Sequence, residues 1–201
     1  MFRDIGPSAL LSPCPAVMVS CRGMEGEYDK DNIVTVAWAG IVCTSPPLVG
    51  ISLRPERFSY TQIIQSEEFA VNLVGEDLLH ACDYCGVRSG RDTDKFGECS
   101  LTALKVPQLR YAPVIEQSPA VLCCRLRSVN ALGSHTQLIG EVVTILAREE
   151  LVDDKGSLRL EKANIVAYSH GDYCRLGRKL GFFGYSVASD KVLKRRMDGK
   201  E

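Results

Sequence analysis

Arg54-Pro55-Glu56-Arg57-Phe58-Ser59-Tyr60-Thr61 follows directly on the apolar run Leu48 to Leu53 and leads into Tyr60, Ile63 and Ile64, which recur at helical spacing. Two arginines and two hydroxyls at a strand-to-helix junction are residue types that bind an anion. Guanidinium forks, unpaired backbone N–H groups of a first helical turn and the positive end of the helix dipole converge there. Ser59 stands where a capping side chain would meet those N–H groups. These residues read as a candidate phosphate site, against the alternative that Arg54 and Arg57 are solvated surface charges. A second set of candidates is sulfur-based. Cys82 and Cys85 have the two-residue gap of a metal knuckle or a redox dithiol, with His80 and Cys99 as further ligands. No second Cys-x-x-Cys or His pair completes such a site, so packing on a helix face is the competing reading.

The elements that must position these residues are mostly strands. Residues 15 to 22 form a first strand, and 23 to 31 a polar loop. The β-branched runs 33 to 42 and 48 to 53 form two neighbouring strands about Ser45-Pro46-Pro47. A short helix is expected over 59 to 66, a strand over 68 to 74 and a helix over 76 to 85. Residues 86 to 96, with two glycines and clustered charge, read as a surface connection. The runs 119 to 132 and 136 to 148 form a long hairpin joined at Gly133-Ser134-His135, and an aromatic, Gly-rich tail spans 163 to 186. Many strands with few short helices indicate a mainly β fold, a closed or nearly closed barrel.

Composition bounds the function. At 201 residues with 45% apolar content, one domain over 1–201 with a sizeable core is expected. A net charge of -1, from 24 Lys and Arg against 25 Asp and Glu, gives no overall field for nucleic acid or an anionic membrane. No apolar run approaches the ~20 residues of a membrane span, and residues 1 to 15 lack the apolar core of a signal peptide. A cytoplasmic chain is expected. The nine cysteines then read mostly as small core residues, Cys21, Cys43, Cys123 and Cys124 among them. Gly-x-Gly-x-x-Gly after a strand, P-loop, Gly-x-Ser-x-Gly and His-Glu-x-x-His motifs are missing, which argues against a Rossmann module.

Several of these segments together resemble the flavin reductase-like family, which includes flavoredoxins and NAD(P)H-dependent FMN reductases. The resemblance rests on Asn32 to Gly40, Pro46-Pro47 with Ile51 to Pro55, Ser89-Gly90-Arg91 with Asp94-Lys95-Phe96, and His135 with Gly140-Glu141-Val142. It covers roughly residues 10 to 185. It implies a Greek-key FMN-binding split barrel, a homodimer with FMN near the interface, and electron transfer from NAD(P)H or a redox protein donor. It places Arg54, Ser59 and Thr61 near the FMN phosphate with Lys95 as a second cation. Thr35, Val36, Ala37 and Trp38 would run along the isoalloxazine ring, with Ser52 and Leu53 at the strand end beside it.

The same resemblance puts Asn32 on the open side, where nicotinamide would approach, and His135 near the flavin or nicotinamide. Asn32, Trp38 and His135 are thus the candidate catalytic residues. Ser89, Gly90 and Arg91 either close over the cofactor or form an exposed connection, with Lys95 and Phe96 following. Tyr168 either crosses toward the partner's flavin or packs in the core. Hydride transfer to flavin needs stacking, distance and polarity rather than acid–base groups, which suits a chain without a catalytic triad. Three expectations follow: an NAD(P)H-dependent FMN oxidoreductase, a flavoredoxin-like carrier, or a thiol or metal module built on Cys82 and Cys85.

Overall fold

The computed structural model describes residues 1–197; residues 198–201 of the expected domain lie outside the described residues. The strands are β1 (Cys14–Pro15), β2 (Val17–Arg22), β3 (Asp31–Val36), β4 (Ala39–Thr44), β5 (Pro47–Leu53) and β6 (Glu68–Leu73), with helix α1 (Phe58–Ser66) between the last two. Helices α2 (Leu79–Val87) and α3 (Lys95–Glu98) follow, then β7 (Ala103–Leu104) and β8 (Val114–Ile115). The chain continues through β9 (Ala120–Ala131), β10 (Thr136–Ala147), β11 (Val166–Ser169), β12 (Asp172–Arg175) and helix α4 (Asp190–Met197).

Seven strands form one antiparallel sheet in the order β3-β2-β6-β9-β10-β5-β4. Residues of β2, β3, β5, β6, β9 and β10 turn one face inward and meet in a common core. Val19, Val36, Ile51, Phe69, Cys124 and Leu138 are its centre, and Ile63 from α1 joins it. Facing strands can share one core in this way only if the sheet curls into a barrel. β2 is buried on both faces, which explains its unbroken run Val17-Met18-Val19. Its outer residue Met18, with Ala16 just before the strand, meets Leu78, Ala81, Cys82 and Cys85 of the α2 segment and Phe96 of α3.

Two expected elements are corrected. The apolar run 33 to 42 is two strands, β3 and β4, at opposite edges of the sheet. The chain crosses from one edge to the other at Ala37-Trp38, where Ser52 N–H donates to the Trp38 carbonyl at 2.9 Å. Closing a barrel demands such a crossing, and no Gly or Pro marks it in the sequence. β4 and β5 are neighbours as expected, joined through Ser45-Pro46. The expected loop 86 to 96 is shorter than read, since α2 runs to Val87 and α3 begins at Lys95. Among the described residues no helix is long and apolar enough to cross a membrane.

Candidate functional site

The edge-to-edge crossing leaves a cleft of about 170 Å³ where three stretches distant in sequence meet. Thr35, Val36, Ala37 and Trp38 form one side, Ser52, Leu53 and Arg54 the other, and His135 closes an end; Val34 and Arg57 complete the lining. Antiparallel pairing explains the arrangement. Thr136 of β10 lies opposite Leu53 of β5, so the hairpin end that carries His135 stands over the end of β5. The Trp38 indole is 46% exposed, although an indole gains by burial. Its ring centroid lies 4.6 Å from that of His135 at 45°. Ser134 Oγ and His135 Nδ1 are 3.0 Å apart. Thr35 turns its hydroxyl onto the Cys82 carbonyl, which ties the cleft to α2.

Cations gather where β5 runs into α1. Arg54 and Arg57 are exposed, and Arg57 donates to the Gly86 carbonyl at 3.3 Å. Phe58 is buried against Tyr28, centroids 4.8 Å apart. Lys30 Nζ lies 4.9 Å and the Arg91 guanidinium 5.7 Å from the Phe58 ring centroid. Four cations therefore surround the first turn of a nine-residue helix whose start has no side-chain cap. That donor set suits a phosphate.

The remaining expected site residues do not line the cleft. The capping role expected of Ser59 is corrected: it is buried, and its hydroxyl receives a hydrogen bond from Asn32 Nδ2 at 2.8 Å. The open-side position expected for Asn32 is corrected too. It is 2% exposed, donates also to Gln62 Oε1 at 2.8 Å, and lies under Gly90, whose missing Cβ would stand 2.5 Å from Asn32 Cγ. Its Oδ1 has no partner among the described residues. Gln62, which the sequence reading missed, anchors this network by donating to the Tyr28 and Lys30 carbonyls at 2.9 and 2.8 Å. Only its position four residues before Ser66 on a short amphipathic helix hinted at burial.

Lys95 is likewise no second cation in the cleft. Its Nζ donates to the Ile33 carbonyl at 2.6 Å and the Cys85 carbonyl at 2.8 Å, inside the protein. Burial holds its pKa below the ordinary lysine value, with nearby thiols opposing the shift. Thr61 is half-buried along α1, and Phe96 packs in the core beside Cys82 and Cys85. Ser89 is exposed, accepting from Arg91 N–H at 3.2 Å, and Arg91 faces Glu27 at 3.7 Å. Tyr168 packs against the core and edge-on to Tyr173, centroids 5.4 Å apart.

The cysteines of the sulfur alternative pack in the same core. Cys82 and Cys85 are fully buried, and burial pushes their thiols up to about 11 and about 12. A thiol held protonated at neutral pH is a poor nucleophile. His80 is exposed, outside this core. Among the described residues no group of three or more His, Cys, Asp or Glu is placed to hold a metal ion. The packing reading of these cysteines stands.

The geometry agrees with what the chain is similar to. A flavoredoxin of Desulfovibrio vulgaris (Miyazaki F) superposes with a TM-score of 0.85 at 26% identity, over 94% of this chain and 100% of that one. A split-barrel protein from Shewanella frigidimarina NCIMB 400 gives 0.76 at 22% identity, over 87% of each chain. An FMN-binding protein from Thermus thermophilus, with 1-cyclohex-2-enone bound, gives 0.74 at 24% identity, over 90% of this chain and 98% of that one. The curled seven-stranded sheet is thus a split barrel. The model of the flavin reductase like domain matches residues 11–177. With the barrel closed at Ala37-Trp38 and cations gathered where β5 enters α1, the chain belongs to the flavin reductase-like family, a family of flavin-related oxidoreductases.

Proposed function

We propose that the cleft binds FMN and that the protein passes electrons from NAD(P)H through it to an acceptor. The observation that carries this is the meeting of 35–38, 52–54 and His135 beside the cationic start of α1. Arg54 and Arg57 hold the phosphate by charge-assisted hydrogen bonds, aided by the first-turn N–H groups of α1. Val36, Ala37 and Leu53 offer a low wall to the ring. Trp38 and His135 cover one end and exclude water from it. Bound FMN would supply the hydride-accepting chemistry that no side chain here can perform. The chain's part is to hold it with one face open.

One protomer does not enclose a flavin nucleotide. Its cleft is smaller than the ~300–1,000 Å³ of pockets that bury small ligands. Beside Trp38, strand β4 exposes Ile41 (64%) and Val42 (48%). An apolar sheet edge next to an incomplete cleft supports a homodimer whose second protomer supplies the missing wall.

The test is the visible spectrum of the purified protein with and without added FMN, followed by anaerobic addition of NADH or NADPH. Retained yellow colour that bleaches with either nucleotide is expected. Failure to retain FMN sinks the cofactor assignment. Retention without bleaching by either nucleotide sinks the NAD(P)H step alone. The similarity to a flavoredoxin then favours a second reading, a carrier reduced by a protein donor, tested by whether such a donor bleaches the flavin.

A further inference from the structure

A second hollow lies elsewhere. The segment 153–165 and the C-terminal segment 175–196 surround a cavity of about 740 Å³ that shares no lining residue with the cleft. That volume falls in the ~300–1,000 Å³ range of sites that enclose small molecules. Lys155, Arg159, Arg175, Lys179, Arg195 and Arg196 line it, against only Asp153 and Glu161. With Glu76, which pairs with Arg175, counted as well, an excess of three positive charges around one hollow stands out in a chain whose net charge is -1. Like charges so gathered repel one another unless a negative group offsets them.

The cations differ in what they already bind. Arg159 donates to Asp153 at 3.3 Å and to Glu161 at 2.6 Å, so both carboxylates are committed. Arg175 pairs with Glu76 at 2.5 Å. Lys179 donates to the Arg196 carbonyl at 2.8 Å, and the Arg196 guanidinium lies 4.2 Å from the Phe182 ring centroid. For Lys155 and Arg195 no ion pair or side-chain hydrogen bond is present among the described residues. They come from separate elements, the turn after Asp153 and the last turn of α4. Leu160, Ile165 and Leu176 add an apolar wall, and Ser157 and Asn164 neutral hydrogen-bonding groups.

A ligand that suits this lining carries clustered negative charge on a body with an apolar face. We propose that the cavity is a second binding site, for a nucleoside diphosphate or the diphosphate-bearing adenylate part of a dinucleotide. The phosphates are held by Lys155 and Arg195, and the base lies against Leu160, Ile165 and Leu176.

Titration of the full-length protein with ADP tests this. Saturable binding is expected at concentrations below ~1 mM, weakened about tenfold or more by Lys155→Ala and again by Arg195→Ala, as loss of a charge-assisted hydrogen bond predicts. Both side chains are exposed, so circular dichroism should be unchanged. FMN affinity should be unchanged as well, since neither residue lines the cleft. NADPH competing with ADP would point to the dinucleotide, and ADP alone binding to the free nucleotide; both support the site. No saturable ADP binding, equal affinity in the double variant, equally tight binding of pyrophosphate, or displacement of ADP by FMN would each overturn it.

Discussion

Arg54 and Lys95 both read as phosphate cations in the sequence, and their environments separate them. Arg54 stands exposed in the cleft beside Arg57. Lys95 is 3% exposed with two backbone carbonyls on its amine. Arg54→Ala and Arg57→Ala should each weaken FMN about tenfold or more, by loss of a charge-assisted hydrogen bond, and leave the melting temperature within a degree or two. Fluorescence titration of FMN and a thermal melt read the two quantities separately; unchanged FMN affinity in the double variant would remove the phosphate assignment. Lys95→Met should do the reverse. It strands two buried carbonyls at a cost of ~1–3 kcal/mol each, lowering stability in urea while folded protein keeps its FMN affinity. Loss of FMN affinity at unchanged stability would put the amine back in the site. The local pattern showed that a cation stood at each position. It could not show which amine a neighbouring helix would cover.

At the scale of elements, the connection between α2 and α3 lies closest to β3 at Gly90. Gly90 is buried on Asn32, and a Cβ there would stand 2.5 Å from Asn32 Cγ. Gly90→Ala must therefore push the connection off β3 or displace the Asn32 amide from Ser59 and Gln62. A loss of ~1–3 kcal/mol in urea denaturation is expected, the usual cost of overpacking. A fully stable Gly90→Ala protein would show that this connection is not held down. The strand pattern was largely legible because period-two alternation and turn residues are local signals: β9, β10 and their hairpin fall within a residue or two of expectation. The break at Ala37-Trp38 was not. An unbroken β-branched run looks the same whether it stays in one edge strand or leaves for the opposite edge, and only barrel closure decides between them.

For the whole molecule, assembly and pH response follow from what is exposed and what is buried. Ile41→Lys with Val42→Lys places charge on an exposed edge strand, where lysine is tolerated by the fold but opposes pairing. Sedimentation should show a shift from dimer to monomer, with weaker FMN retention; an unchanged dimer would mean that it forms through another face. The buried thiols set the alkaline limit. Burial raises Cys21 and Cys85 to about 12 and Cys82 and Cys123 to about 11, from 9.0. Above about pH 9 the unfolded chain releases these protons while the folded chain keeps them, so their stabilisation is lost as pH rises through the folded values. Lys95, its pKa lowered by burial, acts in the opposite sense, but it is one group against six, since burial raises Cys99 and Cys124 as well. Urea denaturation between roughly pH 9 and 11 should show falling stability, at ~1.4 kcal/mol per pH unit for each proton of difference, and Cys21→Ala should flatten the slope. Stability that stays level over that range would contradict the burial of these thiols. By itself the sequence determined the mainly β class, the strand periods, the family resemblance and the cationic character of the β5–α1 junction, because all of these reside in residues close along the chain. Only the tertiary structure decided that His135 covers Trp38, that Asn32 and Lys95 turn inward, and that six cations between Lys155 and Arg196 surround one cavity. Those facts depend on which surfaces meet when the chain folds, and a side chain's neighbours across such contacts leave no mark in its local sequence.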